Sequence, residues 1–344
     1  MHFKPRLLLT VLGAFVWLPA LAACSDAAKP AVEPTPSAAP SPAAPREVTL
    51  QLNWKPEPEF GPFYAAQEIG AFAKHGLEVE LRPGGSGAPT TELLGSKGVQ
   101  FAIVSADEII RARAIGNKLV GIFAVYQKDP MSLITHRARG LKSLAEVIKA
   151  PGTLALERGA PFATWFEKTV GYGPAKIVPS PYGDLSFLRN DPNYAMQGFA
   201  TSEPVAARKL GLEVDVFLVA DAGFNAYQTV LAVHEDLLTQ DAALVKSMLE
   251  AVTAGWRAYQ SDPKATNAVM GKLNPTMDAA TFAAVAVAQL PHVESDATRT
   301  RGPGTMELAR WQTLVTQMTD TGLIKQPVDP AACFRDPVAL LAAK

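Results

Sequence analysis

From Val48 to Ala220 the chain alternates, element by element, between β-branched runs and amphipathic helical periods. VTLQLNW (48–54) reads as a strand, and FYAAQEIGAFAKHG (63–76) as one helix closed by Gly76. LEVELRP (77–83), VQFAIVS (99–105) and LVGIFAVYQ (119–127) follow as strands, with helices PTTELLGSKG (89–98) and ADEIIRARAIG (106–116) between them. The theme then repeats through SLITH, TLALE, IVPSP, MQGFA and VDVFLVA, and QTVLAVHEDLL returns as a strand. Strands separated by helices pair in parallel sheets, so the pattern restricts the chain to an α/β fold. After Asp241 long helices take over. The expected architecture is two doubly wound lobes, the first from 47–136 and 230–344, the second from 137–229. In such sheets a ligand sits at the carboxyl ends of the strands.

The first 46 residues carry a different message. Lys4 and Arg6 precede the apolar run LLLTVLGAFVWLPALAA, which is short for a membrane span and ends in small residues, as an export signal does. Leu21-Ala22-Ala23-Cys24 resembles the bacterial lipobox. The resemblance implies a signal peptide over 1–23, lipidation at Cys24 and anchoring of an exported protein at a membrane surface. Residues 24–46, rich in Ala, Pro and Ser, read as a tether. Cys333 is then left as an unpaired thiol, expected to be buried. A net charge of −1 leaves no electrostatic footprint for nucleic acid.

The strand ends hold the candidate site residues. Asn53, Trp54, Glu57, Glu59 and Tyr64 lie in LNWKPEPEFGPFY. Neighbouring carboxylates two apart in a proline-rich turn are poorly placed to flank a glycosidic bond, which excludes a glycosidase pair. Ser86, Gly87 and Ala88 belong to a glycine-rich strand-to-helix turn that lacks the Gly-Lys-Ser/Thr ending of a phosphate loop. Ser105 and Asp107 open a helix, where they can cap it, face a ligand, or both. Gln127 ends the fourth strand, and Glu203 stands in the first turn after Ser202. His2, His75, His136, His234 and His292 form no metal-binding spacing, so neither a metal nor a cofactor is expected.

Leu52-Asn53-Trp54 with Pro56, Tyr64-Ala65-Ala66, Gly70, Phe72, Gly76-Leu77 and Val79 together resemble a known opening signature. It belongs to the substrate-binding proteins of ABC importers for nitrate, sulfonates and thiamine-pyrimidine precursors. The resemblance continues through Gly84–Pro89, Phe101–Arg113, Gln127 with Pro130, and Gln197-Gly198 to Pro204. It implies a type II periplasmic-binding-protein fold, α/β with a two-segment hinge, acting as a monomer with an ABC permease and ATPase as partners. In the related thiamine-pyrimidine synthase, the lysine that holds pyridoxal phosphate falls at Val104 and a histidine at Glu108. Its cysteine run falls near Phe224–Gln228, and none of the three is present. The expectation is therefore a binder and not an enzyme. Trp54, Phe60 and Tyr64 offer flat surfaces, and Glu57, Glu59, Asp107 and Glu203 favour an amine-bearing or nitrogenous ring over a free anion. The expected ligand is thus a heterocycle like an aminopyrimidine thiamine precursor; Phe60 and Pro62 replace a histidine and a glycine of the pyrimidine binders, which leaves a flavin-like or other nitrogenous compound open. A sulfonate or nitrate carrier and a ligand-sensing lipoprotein are the other readings.

Overall fold

The structure is a computed structural model that describes residues 44–157 and 159–343. The leader and Cys24 lie outside the described residues. Arg46 already opens the first strand, one residue before the expected start of the folded body. Its amide donates to Gly76 O at 2.9 Å and its guanidinium pairs with Asp241, the cap of a long helix.

Among the described residues ten strands form two five-stranded sheets. The first sheet takes β1 (Arg46–Gln51), β2 (Leu77–Arg82), β3 (Phe101–Val104), β4 (Leu119–Tyr126) and β10 (Gln228–His234), in the order β2-β1-β3-β10-β4. The second takes β5 (Met131–His136), β6 (Thr153–Leu156), β7 (Lys176–Pro179), β8 (Tyr194–Phe199) and β9 (Val214–Leu218), in the order β7-β6-β8-β5-β9. Neither sheet is wholly parallel, as the alternation alone suggested. β10 runs antiparallel to β3 and β4, and β5 antiparallel to β8 and β9. Each sheet thus receives one reversed strand beside a crossing. The fold class is α/β, with the two doubly wound lobes of a periplasmic binding protein.

The crossings differ in detail from the sequence reading. β5 belongs to the second sheet, so the chain passes between sheets at 127–130, ahead of residue 136. The Asp129 carboxylate accepts the Met131 amide at 2.8 Å and turns the chain there. It returns through 219–227 before β10. The expected single helix over 63–76 is two pieces, Gly61–Glu68 and Ala71–Lys74, because Gly70 takes the left-handed conformation with φ 68°.

The long helix Ala242–Ser261 buries Leu244, Val245, Met248, Leu249, Val252 and Trp256, a 3.6-residue stripe, against Gly61–Glu68. Burial of each large apolar side chain contributes about 1.5–3 kcal/mol. Cys333 is fully buried, and that burial pushes its thiol up to about 12.

Arg310, on the helix Leu308–Asp320, holds the two crossings together. Its guanidinium donates to Gln127 O on the outgoing crossing, and to Asn225 O (2.7 Å), Asn225 Oδ1 (2.8 Å) and Ala226 O (2.8 Å) on the returning one. It lies 3.8 Å from the Tyr227 ring centroid. Asp129 adds a second tie, since its amide donates to Asn225 Oδ1 at 3.0 Å. Removing Arg310 leaves several buried carbonyls without a donor, each costing about 1–3 kcal/mol. Arg310→Met is therefore expected to lower unfolding free energy in urea by about 3 kcal/mol or more. A loss below about 1 kcal/mol would remove Arg310 from this role.

Candidate ligand-binding site

The carboxyl ends of the parallel strands from both sheets open onto one cleft of about 1030 Å³. Residues 53–59 follow β1, 85–90 follow β2 and 105–111 follow β3 on one wall. Glu157 and residues 159–162 follow β6, 180–185 follow β7 and 202–210 follow β8 on the other. Two close approaches fix these walls. A Cβ at Gly84 would stand 2.3 Å from Leu52 O, so the exit of β2 can lie on the exit of β1. A Cβ at Gly198 would stand 2.9 Å from Glu203 Cδ, so only glycine leaves room for that carboxylate.

Three glutamates meet here. Glu203 accepts the Phe199 amide and the Ser202 hydroxyl, both at 2.7 Å, and is held facing the first lobe. Glu57 accepts the Trp54 Nε1 proton at 3.2 Å. Glu59 is 7% exposed, and its one side-chain partner is the Thr229 hydroxyl at 3.5 Å. Thr229 sits at φ 50°, unusual for a β-branched residue, at the place where it addresses that carboxylate. Burial, then the charge of Glu203, raises Glu57 to about 7. Burial and the charges of Glu57 and Glu203 drive Glu59 well above the usual carboxylate range. Burial raises Glu203 as well, against its two hydrogen bonds. Such a cluster retains protons near neutral pH, and a protonated carboxyl both donates and accepts.

Further along the floor, Asp107 and Asp129 are buried and Glu108 is half-buried. Desolvation raises Asp107, and raises Glu108 and Asp129 each to about 7. Ser105 caps its helix in a capping box with Glu108. Among the described residues Asn53 Oδ1 is a buried acceptor without a donor. Above the glutamates two aromatics face each other across the cleft. Trp54 of the first lobe and Tyr182 of the second have ring centroids 6.2 Å apart, tilted by 36°. Tyr182 is held at φ 48° with its amide on Ser180 Oγ. Near the mouth Lys209 Nζ reaches Asp278 Oδ2 at 2.5 Å and Thr281 Oγ1 at 2.7 Å, tying the second lobe to the helix Ala279–Ala288. Solvent screens this exposed pair, so the clasp is weak.

The chain matches the family model described as NMT1/THI5 like over residues 57–266. It belongs to that family. Among NMT1/THI5-like relatives, the riboflavin-binding protein RibY of Chloroflexus aurantiacus is 25% identical over 347 residues, covering 96% of this chain and 97% of that protein. The 4-amino-5-hydroxymethyl-2-methylpyrimidine phosphate synthase of Legionella pneumophila is 22% identical over 251 residues, covering 71% of this chain and 79% of the synthase. In fold, the periplasmic aliphatic sulphonate binding protein SsuA of Escherichia coli matches with a TM-score of 0.63 at 15% identity, over 86% of this chain and 93% of that one.

Ten sequence-nominated residues stand on the cleft wall: Asn53, Trp54, Glu57, Glu59, Ser86, Gly87, Ala88, Ser105, Asp107 and Glu203. The Ala88 amide, expected to face a ligand, is spent on Gly85 O at 3.0 Å. Tyr64 is not on the cleft. Its helix starts at Gly61 and turns the ring into the core, 2% exposed, and Phe60 is likewise fully buried. Gln127 faces the back of the hinge, donating to Ala124 O and Thr305 O. Tyr182, Lys209 and Asp278 were not nominated. Tyr182 follows the strand in IVPSP, and applying the strand-end rule there would have found it. Lys209 and Asp278 meet only through tertiary packing.

The raised glutamates give a pH dependence of known sign. A carboxyl whose folded value exceeds its unfolded value stabilises most below the unfolded value, and that contribution is lost as pH rises through the folded one. For Glu57 the window runs from 4.5 to about 7. The ligand-free protein should lose melting temperature across it, and Glu57→Gln should gain relative to wild type at pH 8. If the wild-type and Glu57→Gln melting curves run parallel from pH 4.5 to 8, Glu57 does not hold a proton in the folded cleft.

Proposed function

We propose that this chain is the solute-binding component of an ABC importer, exported and held at a membrane through a lipidated Cys24. Its two lobes, divided at the crossings 127–130 and 219–227, would close on a small nitrogenous heterocycle and hand it to a permease and its ATPase. The observation that carries this reading is the acidic cleft with an aromatic side chain on each wall, Trp54 and Tyr182. A planar ring needs about 3.5 Å on either face, so an opening of roughly 1 Å admits one between them. The buried glutamates supply partners for ring N–H and N groups, and whichever of them ionises would repel nitrate or a sulfonate.

The cleft volume favours a ring system of flavin size over a single pyrimidine. Small-molecule sites hold about 300–1,000 Å³, and one six-membered ring would leave most of this cleft empty. Similarity to a riboflavin-binding protein over nearly the whole chain supports the same choice. Binding without bond-making fits the residues. Val104 is a buried strand residue, and no cysteine stands in Phe224–Gln228.

A thermal-shift series on the purified protein with riboflavin, an aminopyrimidine, an alkanesulfonate and nitrate tests this directly. Riboflavin at 100 times its dissociation constant should add about 2.7 kcal/mol of stability. Trp54→Ala and Tyr182→Ala should each weaken binding by about tenfold. A melt shifted only by sulfonate or nitrate would refute the acidic-cleft reading, and one shifted only by the aminopyrimidine would refute the flavin size.

A further inference from the structure

The strand order fixes the length of the cleft floor. Along β1-β3-β10-β4, Glu59 follows β1, Asp107 follows β3, Gln228 opens β10 and Asp129 follows β4. Neighbouring strands lie about 4.8 Å apart, so the three steps span roughly 14 Å. Trp54 and Tyr182 cover only the first end of this row. Asp129, 1% exposed, accepts the Met131 amide and Gln228 Nε2 at 3.2 Å. Asp107 is 6% exposed and lines the cleft. The neighbouring Ser105 hydroxyl lies by both Glu108, at 3.0 Å, and Asp107, and its one proton serves one of them at a time, so Asp107 keeps acceptor sites to spare. A buried carboxylate facing a cavity in that condition asks for a donor from the ligand.

We propose that the cleft reads a ligand in two parts. A planar nitrogenous ring lies at the Trp54, Tyr182 and Glu57 end, and a neutral arm bearing hydroxyl groups donates to Asp107 and Asp129 at the other. The same molecule is rejected once its arm ends in a phosphate. This rests on the ring-binding reading above and extends it to the other half of the cleft. A hydroxyl donates a proton to a carboxylate, whereas a phosphate ester brings about −1.5 to −2 charges and acceptor oxygens. Among the described residues the lining offers it nine carboxyl groups and three cations. Of the cations, Lys209 is engaged by Asp278 and Lys55 lies 5.8 Å from the Trp54 ring centroid, leaving Arg111 at an exposed position.

Isothermal titration of the full chain with three probes separates the parts: riboflavin (ring and hydroxylated arm), lumichrome (ring alone) and riboflavin 5′-phosphate. Riboflavin should bind about tenfold or more tighter than lumichrome, and about a hundredfold tighter than its phosphate. Asp107→Ala should erase most of the first difference while leaving lumichrome affinity unchanged. Equal affinity for riboflavin and lumichrome overturns the arm contact and leaves the ring reading standing. So does an equal loss of both in Asp107→Ala. Riboflavin 5′-phosphate binding as tightly as riboflavin overturns the exclusion, and failure of all three probes overturns both readings.

Discussion

Arg310 is the interaction on which the two-lobed arrangement depends. The two crossings carry no regular ladder between them, yet their carbonyls are buried and need donors. One guanidinium, with a fixed fork of five N–H groups, reaches Gln127 on one crossing and Asn225 and Ala226 on the other, while lying on Tyr227. Its burial lowers its own pKa, and the nearby charge of Asp129 works against that. The two crossings are thereby tied at their centre. Everything in the cleft inherits its alignment from that tie.

The cleft itself is held in tension by electrostatics. Glu57, Glu59 and Glu203 lose hydration and repel one another, which costs stability in the ligand-free protein at neutral pH. Their hydrogen bonds from Trp54, Thr229, Phe199 and Ser202 compensate only in part. On the proposed reading a ligand rich in N–H groups would relieve the remainder, and would do so only when both walls surround it, because Glu203 and Tyr182 come from the second lobe. Closure would then be favoured by contacts that an open state lacks.

Much of this was legible in the sequence because the signals were local. Strand and helix periods located all ten strands, and the strand-end rule located Trp54, Glu57, Glu59, Asp107 and Glu203 on the cleft. The misplaced residues share a cause in local backbone geometry. A helix starting at Gly61 instead of Phe63 rotated Tyr64 and Phe60 into the core, and an Asp129 turn set the crossing before β5. What sequence could not supply was pairing at a distance. The Lys209 clasp joins residues 69 positions apart, and Arg310 joins crossings 85 and 183 positions away. Such partners become neighbours only after both sheets have formed.

The most direct test is a crystal structure of the protein grown with riboflavin. The account requires the isoalloxazine ring between Trp54 and Tyr182, with ring nitrogen groups on Glu57 or Glu59 and Glu203 reaching in from the second lobe. Riboflavin seated outside the cleft between the two sheets, or inside it with neither aromatic ring against the flavin, would contradict it.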